Sequence, residues 1–173
     1  PLNYRLTNRE MIQLLSHADP VMMVAHAQYR EQAAAVRAEL PGIRHLLIVG
    51  GGEEGEDEYE RILAAGSPAA VAPRAGGAEP FALFYTSGTT GLPKGAIVSH
   101  GNLEANCWNQ FLADQSRPED INLVSTPIYH MGAVFMAMTY MMLGCTQVIL
   151  PQFEPGAWLR TLAEQRATVA LLI

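Results

Sequence analysis

A chain of 173 residues, 49% hydrophobic and 16% charged, is long enough for one ordinary domain with a substantial core. Its formal net charge of -6 and pI near 5.3 argue against nucleic acid or anionic lipid as a partner, because both are bound by clustered Lys and Arg. Only two cysteines occur, Cys107 and Cys145, without close spacing, a signal peptide or a disulfide-dense composition, so the expectation is a reducing, cytoplasmic setting with both thiols as core filler.

The chain opens at PLNYRLTNRE without an initiator Met and stops inside the apolar run VALLI, so both ends are expected to be cut. Thr7 with Glu10 forms a capping-box signature, and Met11, Leu14, Leu15 and Ala18 then fall on one helical face. After Asp19 and Pro20, VMMVAHA reads as a strand. Tyr29, Ala33, Val36 and Leu40 follow at helical spacing, and HLLIVGG reads as a second buried strand. The stretch EEGEDEYE packs six carboxylates into eight positions, which places it on a solvated loop or helix start. Residues 66–80, rich in Ala, Gly and Pro, read as a connector, and FALFYTS resumes as a strand.

Beyond the next loop the pattern predicts a helix from about Ser99 to Asp114, a strand INLVST, an apolar helix over 131–144, a strand QVILP, a helix over 154–166 and a last strand at VALLI. From Ile121 to Phe153 there is no Asp, Glu, Lys or Arg. A membrane span is still disfavoured, because Gly144, Thr146 and Gln147 interrupt the run below the roughly 20 residues a span requires. Strands alternating with helices imply an α/β fold, a mostly parallel sheet with helices on both faces.

Two glycine-rich segments compete as phosphate sites. Gly50, Gly52 and Gly55 have the spacing of a dinucleotide fingerprint, but Glu53, Glu54, Glu56, Asp57 and Glu58 would surround a pyrophosphate with negative charge. YTSGTTGLPKGAIVSH, residues 85–100, fits better. Ser87, Thr89 and Thr90 offer three hydroxyls within four residues, and Gly88, Gly91 and Gly95 allow close approach of backbone N–H groups. Lys94 adds positive charge, and Pro93 stiffens the chain before it. The Lys is flanked by Pro93 and Gly95, whereas the Walker loop places Gly before and Ser or Thr after it, so γ-phosphoryl transfer is not the expected chemistry.

At these residues the sequence resembles the AMP-forming superfamily of acyl-CoA synthetases, peptide-synthetase adenylation domains and beetle luciferases. The likeness extends through PLNYRLT, NLEAN, PIYHMGA at 127–133 and GCTQVILPQFEP, and is slight only over 41–80. It implies that residues 1–173 are a partial N-terminal nucleotide- and acyl-binding domain of a larger adenylating enzyme, using ATP, Mg2+ and CoA to convert a carboxylic acid to an acyl-adenylate and then a thioester. By resemblance, Thr86, Ser87, Gly88, Thr89, Thr90, Gly91 and Lys94 would hold the ATP phosphates, with Thr86 near the Mg2+ and Lys94 catalytic. His130, also catalytic, would meet the carboxylate or adenylate, with Tyr129, Met131 and Gly132 as neighbours in the substrate pocket.

A lone His is more often structural, but this one follows a buried strand and precedes Gly132, where ligands collect at the carboxyl edge of parallel sheets. The other histidines, His17, His26, His45 and His100, show no metal-ligand spacing. PIYHMGAVF carries no acid to pair a substrate ammonium, so a fatty or aromatic acid is favoured over an amino acid. The Met-rich helix is read as core packing before pocket wall. The tyrosine-glycine motif, the ribose-binding Asp and the C-terminal Lys of the resembling enzymes cannot be assigned here, so the chain alone is expected to be inactive. The alternatives are a non-catalytic nucleotide-binding module, an amino-acid-activating domain and a membrane-associated structural domain.

Overall fold

The structure is a computed structural model that describes residues 1–51, 57–72, 75–86 and 93–172. The chain divides into two compact units, the first within residues 2–72 and the second comprising residues 75–86 and 94–172.

The first unit opens with α1 (Asn8–Ala18). Its capping box forms as the sequence predicts: the Thr7 side chain accepts from the Glu10 amide, and Glu10 accepts from the Thr7 amide at 2.8 Å. Asp19 then ends the helix in the left-handed conformation at φ 47°. β1 (Met22–His26), a short 3-10 turn (Ala27–Tyr29), α2 (Arg30–Glu39), β2 (His45–Val49), β3 (Asp57–Glu58) and α3 (Tyr59–Ala65) complete the unit. The sheet order is β1-β2-β3, parallel throughout. Alternation along β2 turns Leu46 and Ile48 toward Ala33 of α2, where Met23 and Ala25 of β1 join them. α3 begins at Tyr59, inside the acidic stretch, whose Asp57 and Glu58 pair with β2 as a short strand where the sequence reading expected a loop or helix start.

The second unit begins with β4 (Pro80–Thr86) and β5 (Lys94–Ser99), an antiparallel pair, followed by α4 (His100–Asp114), β6 (Ile121–Val124), α5 (Met131–Met142), β7 (Thr146–Ile149), α6 (Pro155–Glu164) and β8 (Val169–Ala170). β7, β6 and β8 form a parallel sheet with β6 in the centre. Helices cover both of its faces. Trp158 of α6 donates from Nε1 to Ser125 Oγ at 3.0 Å on one side, and Gln147 of β7 donates from Nε2 to the Ala137 carbonyl of α5 at 3.0 Å on the other. Between them Leu123 is fully buried.

Two departures from the sequence reading matter. β5 occupies residues read as loop, so the glycine-rich segment bridges two antiparallel strands rather than a strand and a helix. The signal was present in the β-branched pair Ile97 and Val98, which the preceding Pro93-Lys94-Gly95 punctuation obscured. α5 ends at Met142, and its last turn is buried on one side only: Thr139 and Tyr140 are 1% exposed, whereas Met141 and Met142 are 58% and 53% exposed. No helix among the described residues is long and apolar enough to cross a membrane.

Candidate nucleotide and acyl site

The hairpin register fixes the best-defined part of the site. Thr86, the last residue of β4, pairs with Lys94, the first of β5. Directly opposed residues of an antiparallel pair project to the same face, so Thr86 and Lys94 share a face with the Phe84–Ala96 and Ala82–Val98 pairs. That face is buried against α5. Phe84, Val98 and Val134 form its core, and Met131, Phe135 and Met138 join them along the i, i+3, i+4, i+7 stripe of the helix. The sheet beneath Thr86 and Lys94 is thereby anchored, while both residues stand exposed at the hairpin mouth.

On the opposite face Gly95 lies against the Tyr85 ring, where an added Cβ would come within 3.3 Å of ring carbons. This close approach gives the glycine after the lysine a packing reason. Partial burial pushes the Tyr85 hydroxyl pKa up. Of the remaining loop residues, Ser87, Gly88, Thr89, Thr90 and Gly91 lie outside the described residues.

The second part of the site begins where β6 ends. His130 is the N-cap of α5, with φ -89° and ψ 133°, and its side chain makes no capping bond. Its carbonyl accepts from the Ala133 and Val134 amides at 3.1 and 3.2 Å, which fixes the first turn. The exposed imidazole rests against Tyr129, with ring centroids 4.6 Å apart. Beside it the positive end of the α5 dipole favours an anion. Met131 is partly buried and packs against the hairpin core. A Cβ on Gly132 would lie 3.9 Å from Leu171 Cδ2, so the helix start is close to the chain after β8. Because Met131 packs with Phe84, one apolar cluster ties the α5 start carrying His130 to the hairpin that carries Thr86 and Lys94.

Other features singled out by the sequence have local partners. Gly50 and Gly51 adopt φ of 86° and 139°, Gly50 abuts His26, and Arg30 donates from Nη2 to the Gly51 carbonyl. This first turn of the rejected fingerprint is therefore held by its own chain; Gly52 and Gly55 lie outside the described residues. Among the described residues no three His, Cys, Asp or Glu groups cluster as a metal site. Cys107 is buried, and Cys145 is half-buried with its thiol donating to the Arg117 carbonyl.

The chain is thus α/β, with Thr86 and Lys94 in register at a hairpin mouth and the hairpin packed on the helix that His130 precedes. The sequence pattern of the AMP-binding enzyme family matches residues 1–173, and the chain belongs to that family. It is 31% identical over 175 residues to an indoleacetate–CoA ligase of Aromatoleum aromaticum, covering 100% of this chain and 34% of that protein. It is 29% identical over 160 residues to a long-chain-fatty-acid–CoA ligase of Thermus thermophilus, covering 90% of this chain and 29% of the relative. Among solved structures, ATP-bound MatB from Rhodopseudomonas palustris superposes with a TM-score of 0.79 at 31% identity, over 98% of this chain and 33% of MatB. The chain spans about a third of the length of these proteins.

Proposed function

We propose that this chain supplies the phosphate-gripping part of an enzyme that activates a carboxylic acid with ATP and passes the acyl group to CoA. The observation that carries the reading is the in-register Thr86–Lys94 pair at the mouth of the signature hairpin, in a chain whose whole length matches the AMP-binding enzyme family. In the first step a carboxylate oxygen attacks the α-phosphorus, the bond to the β,γ-diphosphate breaks, and pyrophosphate leaves. In the second a thiol sulfur attacks the acyl carbon, AMP leaves with the former carboxylate oxygen, and the thiol proton passes to solvent.

A carboxylate is a poor nucleophile toward a polyanion, so the useful work is charge neutralisation and alignment. Lys94 neutralises the departing phosphates, while the hydroxyls of Thr86, Ser87, Thr89 and Thr90 and the amides of Gly88 and Gly91 donate to them. The Thr86 hydroxyl is a hard oxygen donor of the type Mg2+ accepts, and nucleotide phosphates and water ordinarily complete that ion's shell, so the residue suits a metal entering with the nucleotide. His130 and the amides opening α5 orient the carboxylate and then the adenylate carbonyl, with Tyr129 and Gly132 shaping the space beside them.

The relatives named above act on an aromatic and a long-chain acid respectively, and the segment Pro127–Phe135 carries no acid to hold an amino group, so a fatty or aromatic acid is the proposed substrate class. A cytoplasmic setting, where ATP and CoA are available, belongs to the same reading. The test is a panel of short, long, aromatic and amino acids offered to the protein expressed from its full reading frame, with labelled pyrophosphate exchange into ATP as the readout. Exchange that depends on an apolar acid is expected. Exchange supported only by amino acids, or by none of the panel, would refute this assignment.

A further inference from the structure

We propose that Thr126 is a positioning residue for His130, its hydroxyl setting where the imidazole stands and hence how tightly the enzyme holds the carboxylic acid; this rests on the reading of His130 as the group that meets the carboxylate. β6 ends at Val124, and the next two side chains pin the chain as it leaves the sheet. Ser125 is buried, and its Oγ accepts from Trp158 Nε1 of α6 at 3.0 Å. Thr126, half-buried, donates from Oγ1 to the Leu171 carbonyl at 3.0 Å. The backbone pairing of β6 with β8 stops at Leu123 and Ala170, so this side-chain bond carries the link between the two strands past the end of their ladder.

Leu171 meets the His130 segment at both of its ends. Its carbonyl receives Thr126, and its Cδ2 lies 3.9 Å from where a Cβ on Gly132 would stand, in the first turn of α5. Residues 127–131 cross between these two contacts in a tight turn, closed by the His130 amide donating to the Pro127 carbonyl at 3.0 Å. The His130 imidazole is exposed and makes no capping bond, so its place is set by the backbone of this turn and by Tyr129 stacked on it from the same turn. A short turn held at both ends passes a shift at one anchor to the residues between. Groups that must meet a substrate are sensitive to that, since a displacement of about 1 Å can cost on the order of 100-fold.

Thr126→Val keeps the branched shape of the side chain and removes the donor. The assay is acid-dependent exchange of labelled pyrophosphate into ATP by the protein from its full reading frame. The variant should raise the KM for the acid by about tenfold and hold the KM for ATP within about twofold, because the mouth carrying Thr86 and Lys94 is anchored separately on Phe84 and Val98. Thr126→Ser, which keeps the hydroxyl, should restore the wild-type KM. A role confined to stability gives another pattern, because a fraction of unfolded protein lowers kcat and leaves both KM values alone. An unchanged acid KM in the valine variant, an equal rise in both KM values, or a serine variant that restores nothing overturns the inference while wild-type exchange upholds the proposed reaction. Absence of acid-dependent exchange in the wild type refutes that reaction and this inference with it. A crystal structure of the wild-type protein with the acid bound is the second arm, and it rules should the valine variant fail to fold. The Thr126–Leu171 bond intact and the imidazole at the carboxylate are expected, and a broken bond or a carboxylate held elsewhere overturns the inference.

Discussion

Lys94 faces Thr86 across the hairpin mouth, so deleting its charge removes the proposed neutralisation of pyrophosphate without disturbing the core beneath. Lys94→Ala is expected to lower pyrophosphate exchange by about two to three orders of magnitude, the range found for removing one well-placed electrostatic donor. Its melting temperature should stay within about 1 °C of wild type, since exposed substitutions away from caps and cores cost little. His130 makes a similar contrast: the imidazole caps nothing, so His130→Ala should leave thermal stability unchanged while acyl-adenylate formation falls. A loss of melting temperature with unaltered adenylation would assign it to packing instead. The residues proposed to carry the chemistry were nominated from the sequence because loop chemistry is local. The contact of Gly95 with Tyr85 was not, since it depends on a cross-strand register that only pairing sets.

Helix starts offer tests one level up. Gly101, in the first turn of α4, donates its amide to the Gly77 carbonyl at 2.7 Å, and a Cβ there would lie 2.9 Å from that oxygen. The obstacle is backbone, so Gly101→Ala should destabilise the protein by about 1–3 kcal/mol in chemical denaturation despite alanine's better helix propensity. At α6 the Glu154 carboxylate accepts from the Gly156 and Ala157 amides, and these bonds, more than the Arg160 guanidinium 3.9 Å away, hold its pKa below the ordinary value. A carboxylate with a depressed folded-state pKa stabilises above its unfolded value, near about 4.3, and loses that contribution as pH falls through the folded one. Glu154→Gln should therefore weaken the stability loss seen on acidification below that point, and an identical acid titration in the variant would dismiss the cap as a contributor. Element types were readable where periodicity ran long, as in α1, α5 and α6. β5 escaped because six residues that begin at Lys94, directly after Pro93, and include Gly95 give alternation little room to show, and tertiary packing on α5 decides their state.

On the scale of the whole chain, the sequence foretold an α/β fold from its alternating pattern, and two parallel three-stranded sheets with a hairpin realise it. The segment from Ile121 to Phe153 illustrates why composition alone misleads. Its lack of charge reflects a strand covered on both faces and a helix packed against both the sheet and the hairpin. The division into two units was not legible, because both read as the same strand–helix alternation. The central claim is that a carboxylate oxygen attacks the α-phosphorus of ATP at the hairpin formed by β4 and β5. The most direct measurement uses an acid labelled with oxygen-18 in its carboxylate, turned over with ATP and CoA by the protein from its full reading frame, with mass analysis of the products. One labelled oxygen in AMP is the predicted result. Label appearing in inorganic phosphate, with ADP in place of AMP, would contradict it.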